Sequence, residues 1–315
     1  MVNPNGNLGI ILPIPSAYAL AGFKLLPALQ QIYAGAATIK GSVSAFESIQ
    51  HDLSDFFNQE TKAPVQEKKY LPFKRDILLE NITFTYPGKT VSAINKLDMS
   101  IPVNSLIGLV GPSGAGKSTL IDIILGLITP QFGKIMVDET LVTPDNCRSW
   151  QNTIGFVAQD IFLSDGTIAE NIAFGIHKSE INIDKVRETL KLAQLTELID
   201  SLDKGIETPV GERGIQLSGG QRQRIGIARA LYYDAELLVF DEATSSLDGI
   251  TENMIMESIT NLTGQKTIVI IAHRLKTVQK CDQIFFMDQG KVIDYGSYEK
   301  LIETNELFKK MASHA

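Results

Sequence analysis

Apolar positions along this chain fall into two regimes. Residues 8–29, "LGIILPIPSAYALAGFKLLPAL", are apolar almost without interruption and carry one charge, Lys24, and three prolines, Pro13, Pro15 and Pro27. Behind them Ile39, Val43, Phe46, Ile49, Leu53 and Phe56 recur at steps of three and four, the spacing of an amphipathic helix with one apolar face. Residues 59–75 then turn charged and contain Pro64 and Pro72, as a linker does. From Asp76 onward short β-rich runs alternate with helical patterns: "ILLENITFTY", "SLIGLVG" leading into "KSTLIDIILGL", then "KIMVD", "NTIGFVA", "AELLVFDE", "KTIVIIA", "DQIFFMD" and "KVIDYG". This alternation predicts an α/β fold, a mixed sheet with a parallel core flanked by helices, with antiparallel portions from the early strands and "KVIDYG". The expected organisation is an N-terminal helical segment over 1–58, a linker over 59–75 and an α/β domain over 76–315.

Composition narrows the picture. The first seven residues carry no Lys or Arg, so the apolar run lacks the positive start of a secretory signal. From Leu8 to Phe23 a straight helix reaches only about 24 Å, short of the ~30 Å hydrocarbon core, and continuing through Leu29 or Ile32 closes the gap. Lys24 would then lie near an end, where it can snorkel to water. Two readings stay open for this run: the last helix of a membrane domain, or a buried segment of a soluble fold. A formal net charge of -7 over 315 residues argues against a surface built to neutralise nucleic-acid phosphates. The two cysteines, Cys147 and Cys281, are far apart and read as packing residues in a reducing compartment.

The candidate chemistry sits in the α/β part. "GPSGAGKST", Gly111, Pro112, Ser113, Gly114, Ala115, Gly116, Lys117, Ser118 and Thr119, fits G-x-x-x-x-G-K-[ST] between an apolar strand and a helix. In that context the loop amides and the helix start favour phosphate, Lys117 reaches the β and γ phosphates, and the Ser118 hydroxyl takes Mg2+. By itself the loop predicts nucleotide binding and leaves the reaction open. "ELLVFDEA" ends an apolar strand in two carboxylates, so Asp241 can steady Mg2+ while Glu242 faces an attacking water. Between the two lies "LSGGQRQRIGIARAL", in which Ser218, Gly219, Gly220 and Gln221 open a second helical pattern and imply a second anion site.

With "LSGGQ" the chain resembles the ATP-binding cassette family, and the resemblance covers about residues 76–310. It implies an ATPase using ATP and Mg2+, built on a P-loop nucleotide-binding fold with an antiparallel β portion and a helical subdomain. It also implies roles for single residues. Tyr86 in "FTYPG" matches the aromatic that stacks on adenine. Gln159 in "GFVAQD" matches the glutamine that senses Mg2+ and water. Asp248 in "SSLD" matches a loop that crosses to a partner subunit, and His273 in "IIAHR" matches the histidine at the γ phosphate. His51, His177 and His314 match nothing in the family and read as surface residues. In this family two cassettes, in a homodimer or heterodimer, hold each ATP between the loop of one and the "LSGGQ" of the other.

"TPVGERG", residues 208–214, resembles a segment of exporter-type cassettes that touches the membrane domain, and residues 8–58 are similar to the end of the last membrane helix of such exporters. The stretch "YALAGFKLLPALQQIYAGAATIKGSVSAFESI" is also similar to bacterial flippases for lipid-linked oligosaccharides, which implies a lipid or lipid-linked cargo and an inner-membrane location with the ATPase on the cytoplasmic face. Related exporters of lipids, peptides or drugs share the "LLP" region, which leaves the cargo open. Asn104 and Ser105 replace the family's usual Gly-Glu, and Ala158 replaces a frequent proline. Asn tolerates a left-handed turn, so ATP binding is expected to survive these changes. One membrane helix does not enclose a transport path, so the chain is expected to be the C-terminal part of a half-transporter. The alternatives are a short subunit docking on a separate permease and a soluble cassette without a transport role.

Overall fold

The structure is a computed structural model that describes residues 13–60, 69–241, 249–272 and 274–313. The chain divides into two units, residues 1–67 and 68–315.

The described part of the first unit is one helix, α1 (Pro13–Glu60), of 48 residues. The two segments that the hydrophobic pattern separates, the apolar run and the amphipathic stretch, are therefore continuous, and Pro27 lies inside the helix. Leu20, Phe23, Leu25, Leu26, Leu29, Ile32 and Tyr33 are exposed within this unit and spread around the helix axis. A helix apolar on all sides ordinarily buries against other elements. Among the described residues no helix is long and apolar enough to cross a membrane. Prolines, small residues and two glutamines dilute residues 13–31, and residues 8–12 of the apolar run lie outside the described part.

The second unit contains two sheets. Strands β1 (Asp76–Phe84), β2 (Ile94–Pro102), β3 (Leu106–Val110), β4 (Phe132–Val137), β5 (Thr140–Leu141), β6 (Ile154–Val157), β7 (Leu237–Asp241), β8 (Thr267–Ile271), β9 (Gln283–Asp288) and β10 (Lys291–Gly296) follow in chain order. The first sheet has the order β2-β1-β4-β5 and is antiparallel throughout. The second has the order β10-β9-β3-β8-β7-β6, parallel except for the edge pair β9–β10. This is the mixed architecture that the pattern predicts.

Helices α2 (Lys117–Ile124), α3 (Cys147–Gln151), α4 (Ile168–Ile172), α5 (Ile183–Leu192), α6 (Thr196–Asp200), α7 (Gly219–Tyr232), α8 (Gly249–Asn261), α9 (Tyr298–Thr304) and α10 (Glu306–Ser313) fill the connections. The block from α4 to α7 lies entirely between β6 and β7, so one crossover of the parallel sheet carries a helical subdomain.

The core shows why β3, β7 and β8 are continuous apolar runs. Leu106, Val110, Leu238, Phe240, Ile268 and Ile270 belong to one buried cluster, and Ile107, Leu109, Leu237, Val239, Val269 and Ile271 to another. Alternate residues thus face opposite sides of a sheet covered on both faces.

The β1–β2 ladder slips twice, between Leu79/Ile82 and Ile82/Phe84. Asn81 and Lys96 there have φ of 51° and 49°, and each slip breaks the period-2 alternation. Asn104 adopts φ 57°, the left-handed turn expected of it. The expected linker is half packed, since α1 runs on to Glu60 and Leu71 and Phe73 are buried in the second unit. Phe73 meets Trp150 edge to face at 6.2 Å, and the Leu71 amide donates to the Ser149 carbonyl at 3.1 Å. Burial raises the Cys147 thiol pKa and pushes Cys281 up to about 12, as suits packing thiols.

Trp150 is fully buried, and its indole N–H donates to the Ile124 carbonyl at the end of α2 at 2.7 Å. Trp150→Ala removes that bond and the Phe73 contact, and is expected to lower the unfolding free energy by about 3–5 kcal/mol. A urea denaturation midpoint measures this, and a loss under about 1 kcal/mol would contradict the packing described.

Candidate functional site

The site is set by the direction of the strands. β3, β8, β7 and β6 run parallel, so the segments that follow them all emerge at one sheet edge. Pairing fixes their heights: Leu109 lies opposite Ile271, Ile271 opposite Asp241, and Phe240 opposite Val157. The loop after β3, Asp241 and the segment leading to Gln159 therefore share this edge. Asp241 stands two strands from β3, roughly 10 Å at ~4.8 Å per strand.

The glycine-rich loop between β3 and α2 is held by its own backbone. Gly116 caps α2 with φ 99°, and a Cβ there would lie 2.6 Å from the Ala93 carbonyl oxygen, so only glycine fits. The Gly290 amide, in the β9–β10 turn, donates to the Ala115 carbonyl at 3.0 Å, and the Asn95 amide donates to the Gly290 carbonyl at 2.9 Å. Two strands thus brace the loop from behind. Lys117 is buried, and its ammonium donates to the Gly111 and Pro112 carbonyls at 2.8 and 3.0 Å. These bonds fold the lysine back along the loop and place its charge inside the curve.

A cavity of about 350 Å3 lies over the loop, lined by Tyr86, Ala93, Ser113, Gly114, Gly116, Lys117, Ser118 and Thr119. Beyond the Gly114 Cα there is open space, and no side chain caps the first turn of α2. The first turn of α2 and the buried Lys117 ammonium give the cavity a positive lining suited to phosphate. Tyr86 sits at its mouth, edge to face on Phe84 at 5.0 Å, with its hydroxyl 3.1 Å from the Thr119 hydroxyl.

The expected Mg2+ donors are the exposed Ser118 hydroxyl, the exposed Gln159 amide and the half-buried Asp241 carboxylate. All are hard oxygen donors, and a single carboxylate suits a cation held jointly with substrate phosphates. No cluster of three His, Cys, Asp or Glu that can hold a metal occurs among the described residues.

Ser218 and Gln221 cap α7 reciprocally: the Ser218 hydroxyl oxygen accepts from the Gln221 amide at 3.2 Å, and the Gln221 side-chain oxygen accepts from the Ser218 amide at 2.8 Å. Ser218 and Gly219 are exposed and Gly220 is buried. None of Ser218–Gln221 lines the cavity over the glycine-rich loop. Glu242, Asp248 and His273 lie outside the described residues, although Asp241 and Ala272 fix the points where their segments leave β7 and β8. The pattern of the sequence missed Ala93 and Gly290 as supports of the loop; the turn residues in "DQGK" are the only local signal of the second.

The ABC transporter family profile matches residues 94–245. An ATP-dependent lipid A-core flippase of Cupriavidus pinatubonensis is 39% identical over 236 residues, 75% of this chain and 40% of the relative. The heterocyst differentiation ATP-binding protein HepA of Nostoc is 38% identical over 270 residues, 84% of this chain and 44% of the relative. A solved structure described as a bacterial Atm1-family ABC exporter with ATP bound aligns with TM-score 0.71 at 34% identity, covering 80% of this chain and 44% of its own. The chain spans about two fifths of the length of the curated relatives it matches.

Lys117→Ala takes the ammonium out of the loop and is expected to weaken binding of a fluorescent ATP analogue at least tenfold, the loss of about 1.4 kcal/mol or more that a charge-assisted contact carries. Unchanged affinity would contradict the assignment of this loop to phosphate.

Proposed function

Through residues 94–245 the chain belongs to the ABC transporter family, and from that premise we propose that it is the ATP-hydrolysing part of an exporter, working as a pair of cassettes that closes on ATP and reopens on hydrolysis. One observation carries the pairing. Among the described residues, the lining of the cavity over the glycine-rich loop includes none of the start of α7, whose exposed Ser218 and Gly219 offer a second set of anion donors. The capping box engages the Ser218 oxygen as an acceptor and leaves its O–H to donate outward. A second copy, or a related cassette, would bring Ser218, Gly219, Gly220 and Gln221 over the open face.

In this reading Tyr86 stacks on the adenine, and the loop amides and Lys117 hold the phosphates. Ser118, Asp241 and Gln159 hold Mg2+, which when bound neutralises charge developing on the β and γ oxygens. Glu242 accepts a proton from the attacking water, His273 contacts the γ phosphate and Asp248 reaches the partner. Moving a pair from 1:99 to 99:1 closed needs a differential affinity of ~5.5 kcal/mol. Charge-assisted bonds from two faces supply that scale of energy, and loss of the γ contacts on hydrolysis removes it.

The exporter assignment is supported by the names of the relatives and by "TPVGERG". These support membrane association, with the ATPase on the cytoplasmic face and a transmembrane domain as partner. The relatives named as lipid A-core flippases point to a lipid-linked cargo, and the acidic balance disfavours nucleic acid.

Glu242→Gln is expected to keep ATP binding, lose nearly all turnover and accumulate an ATP-held dimer, seen by light scattering of the purified full chain. A monomer at saturating ATP would contradict the pairing, and undiminished turnover would remove Glu242 from the mechanism.

A further inference from the structure

The helix that begins at Ser218 is fastened to the segment that carries Gln159. Three residues of α7, three apart, make the attachment over about 9 Å of helix. Gln223 is buried, and its side-chain amide donates to the Ala158 carbonyl at 3.3 Å. Gly226 lets Ile161 lie directly on the helix backbone, where a Cβ would come within 2.6 Å of the Ile161 Cδ1 and 2.9 Å of its Cγ1. Arg229 donates from Nη1 to the Phe162 carbonyl at 3.0 Å and from Nε to the Asn171 carbonyl at 2.8 Å, with its guanidinium 4.9 Å from the Phe174 ring centre. Burial pushes the Arg229 pKa down, so these bonds answer a desolvation cost.

The same segment is fixed on its other flank. Asn171 is fully buried; its side-chain oxygen accepts from the Ser164 amide at 2.9 Å, and its amide donates to the Ser164 and Thr167 carbonyls at 3.0 Å each. The Val210 amide donates to the Gly166 carbonyl at 2.9 Å, and the Ile168 amide to the Thr208 carbonyl at 3.1 Å. Leu163 occupies the space beside Gly214, where a Cβ would lie 2.7 Å from its Cδ1. The chain therefore leaves the parallel sheet at Val157 and is already tied to α7 at Ala158. Gln159 sits at that joint.

We infer that Gln223, Gly226 and Arg229 are positioning residues for Gln159, binding the 158–168 segment, the 208–214 segment and α7 into one body that carries both Gln159 and Ser218. The contacts tie the segment that begins at Ala158 to the helix that begins at Ser218, so the position of Gln159 depends on α7. The inference rests on the proposed ATPase reading, in which Gln159 faces Mg2+ and water.

The test uses the purified full chain. Gln223→Leu keeps the side-chain volume and deletes the bond to Ala158, and it is expected to cut kcat roughly 10- to 100-fold, the scale of an ångström-level misplacement. Affinity for a fluorescent ATP analogue should stay within about twofold, with half-saturating Mg2+ raised. In a Gln159→Ala background Gln223→Leu should change kcat no further, because the residue it positions is gone. Arg229→Lys, which keeps charge but not the fork, should show the same kcat-selective loss to a smaller degree. A multiplicative loss in the double variant, or an unchanged kcat in a Gln223→Leu protein of normal melting temperature, would overturn the inference. Should Gln223→Leu fail to fold, Gly226→Ala, which displaces Ile161, is subject to the same criteria. A parent chain without ATPase activity would instead overturn the ATPase reading itself.

Discussion

Parallel strands end at a common edge, and that constraint organises the whole α/β unit. β3, β8, β7 and β6 deliver the glycine-rich loop, Ala272, Asp241 and Ala158 to one side of the sheet because their hydrogen-bond register allows nothing else. A parallel sheet must be buried on both faces, which the two clusters divided by β3, β7 and β8 accomplish. It also requires long crossovers between strands. Here those crossovers are not idle: the one from β3 to β6 contains strands of the antiparallel sheet, and the one from β6 to β7 contains α4–α7. A rigid sheet edge with large bodies hung from it lets separate elements be brought to one small substrate.

The two helix starts proposed to meet phosphate, α2 and α7, are built differently. α2 begins at Gly116 without a side-chain cap, and Lys117 is held inside the curve by two carbonyls. A start of this kind is preorganised for phosphate but incomplete without it. α7 begins with a closed capping box, so the Ser218 and Gln221 amides are satisfied within the single subunit. The first start gains most from a ligand and the second loses nothing by waiting for one. That asymmetry suits a site that fills first and is covered later.

Much of this was legible in the chain. The apolar runs of β3, β7 and β8 and the spacing of glycines before Lys117 report directly on burial and on the local turn, both properties of contiguous residues. "LSGGQRQRIGIARAL" likewise reports a helix and its cap. What contiguous residues do not carry is the identity of a partner far away in sequence. Gly290 supports Ala115 across 175 positions, and Gln223 finds Ala158 across 65, and in neither case does the local pattern differ from that of an ordinary turn or helix face. The join of the apolar run to the amphipathic stretch in α1 was hidden by the change of pattern at about residue 33, which is not a helix end.

The fastening of α7 explains why a helical subdomain placed in a crossover need not be a passive insertion. A body hung from the sheet by two strands, β6 and β7, has freedom to tilt, and each chain exit is a potential hinge. At β6 the hinge has almost no length: Val157 is still paired with Phe240, and the Ala158 carbonyl already accepts from Gln223. Any tilt at this exit must therefore be taken up at the peptides beside Ala158. A longer, unattached connection would absorb the same tilt over several residues and leave Gln159 unmoved. Tight attachment on both sides of one exposed glutamine converts a rotation of the subdomain into a displacement at the site.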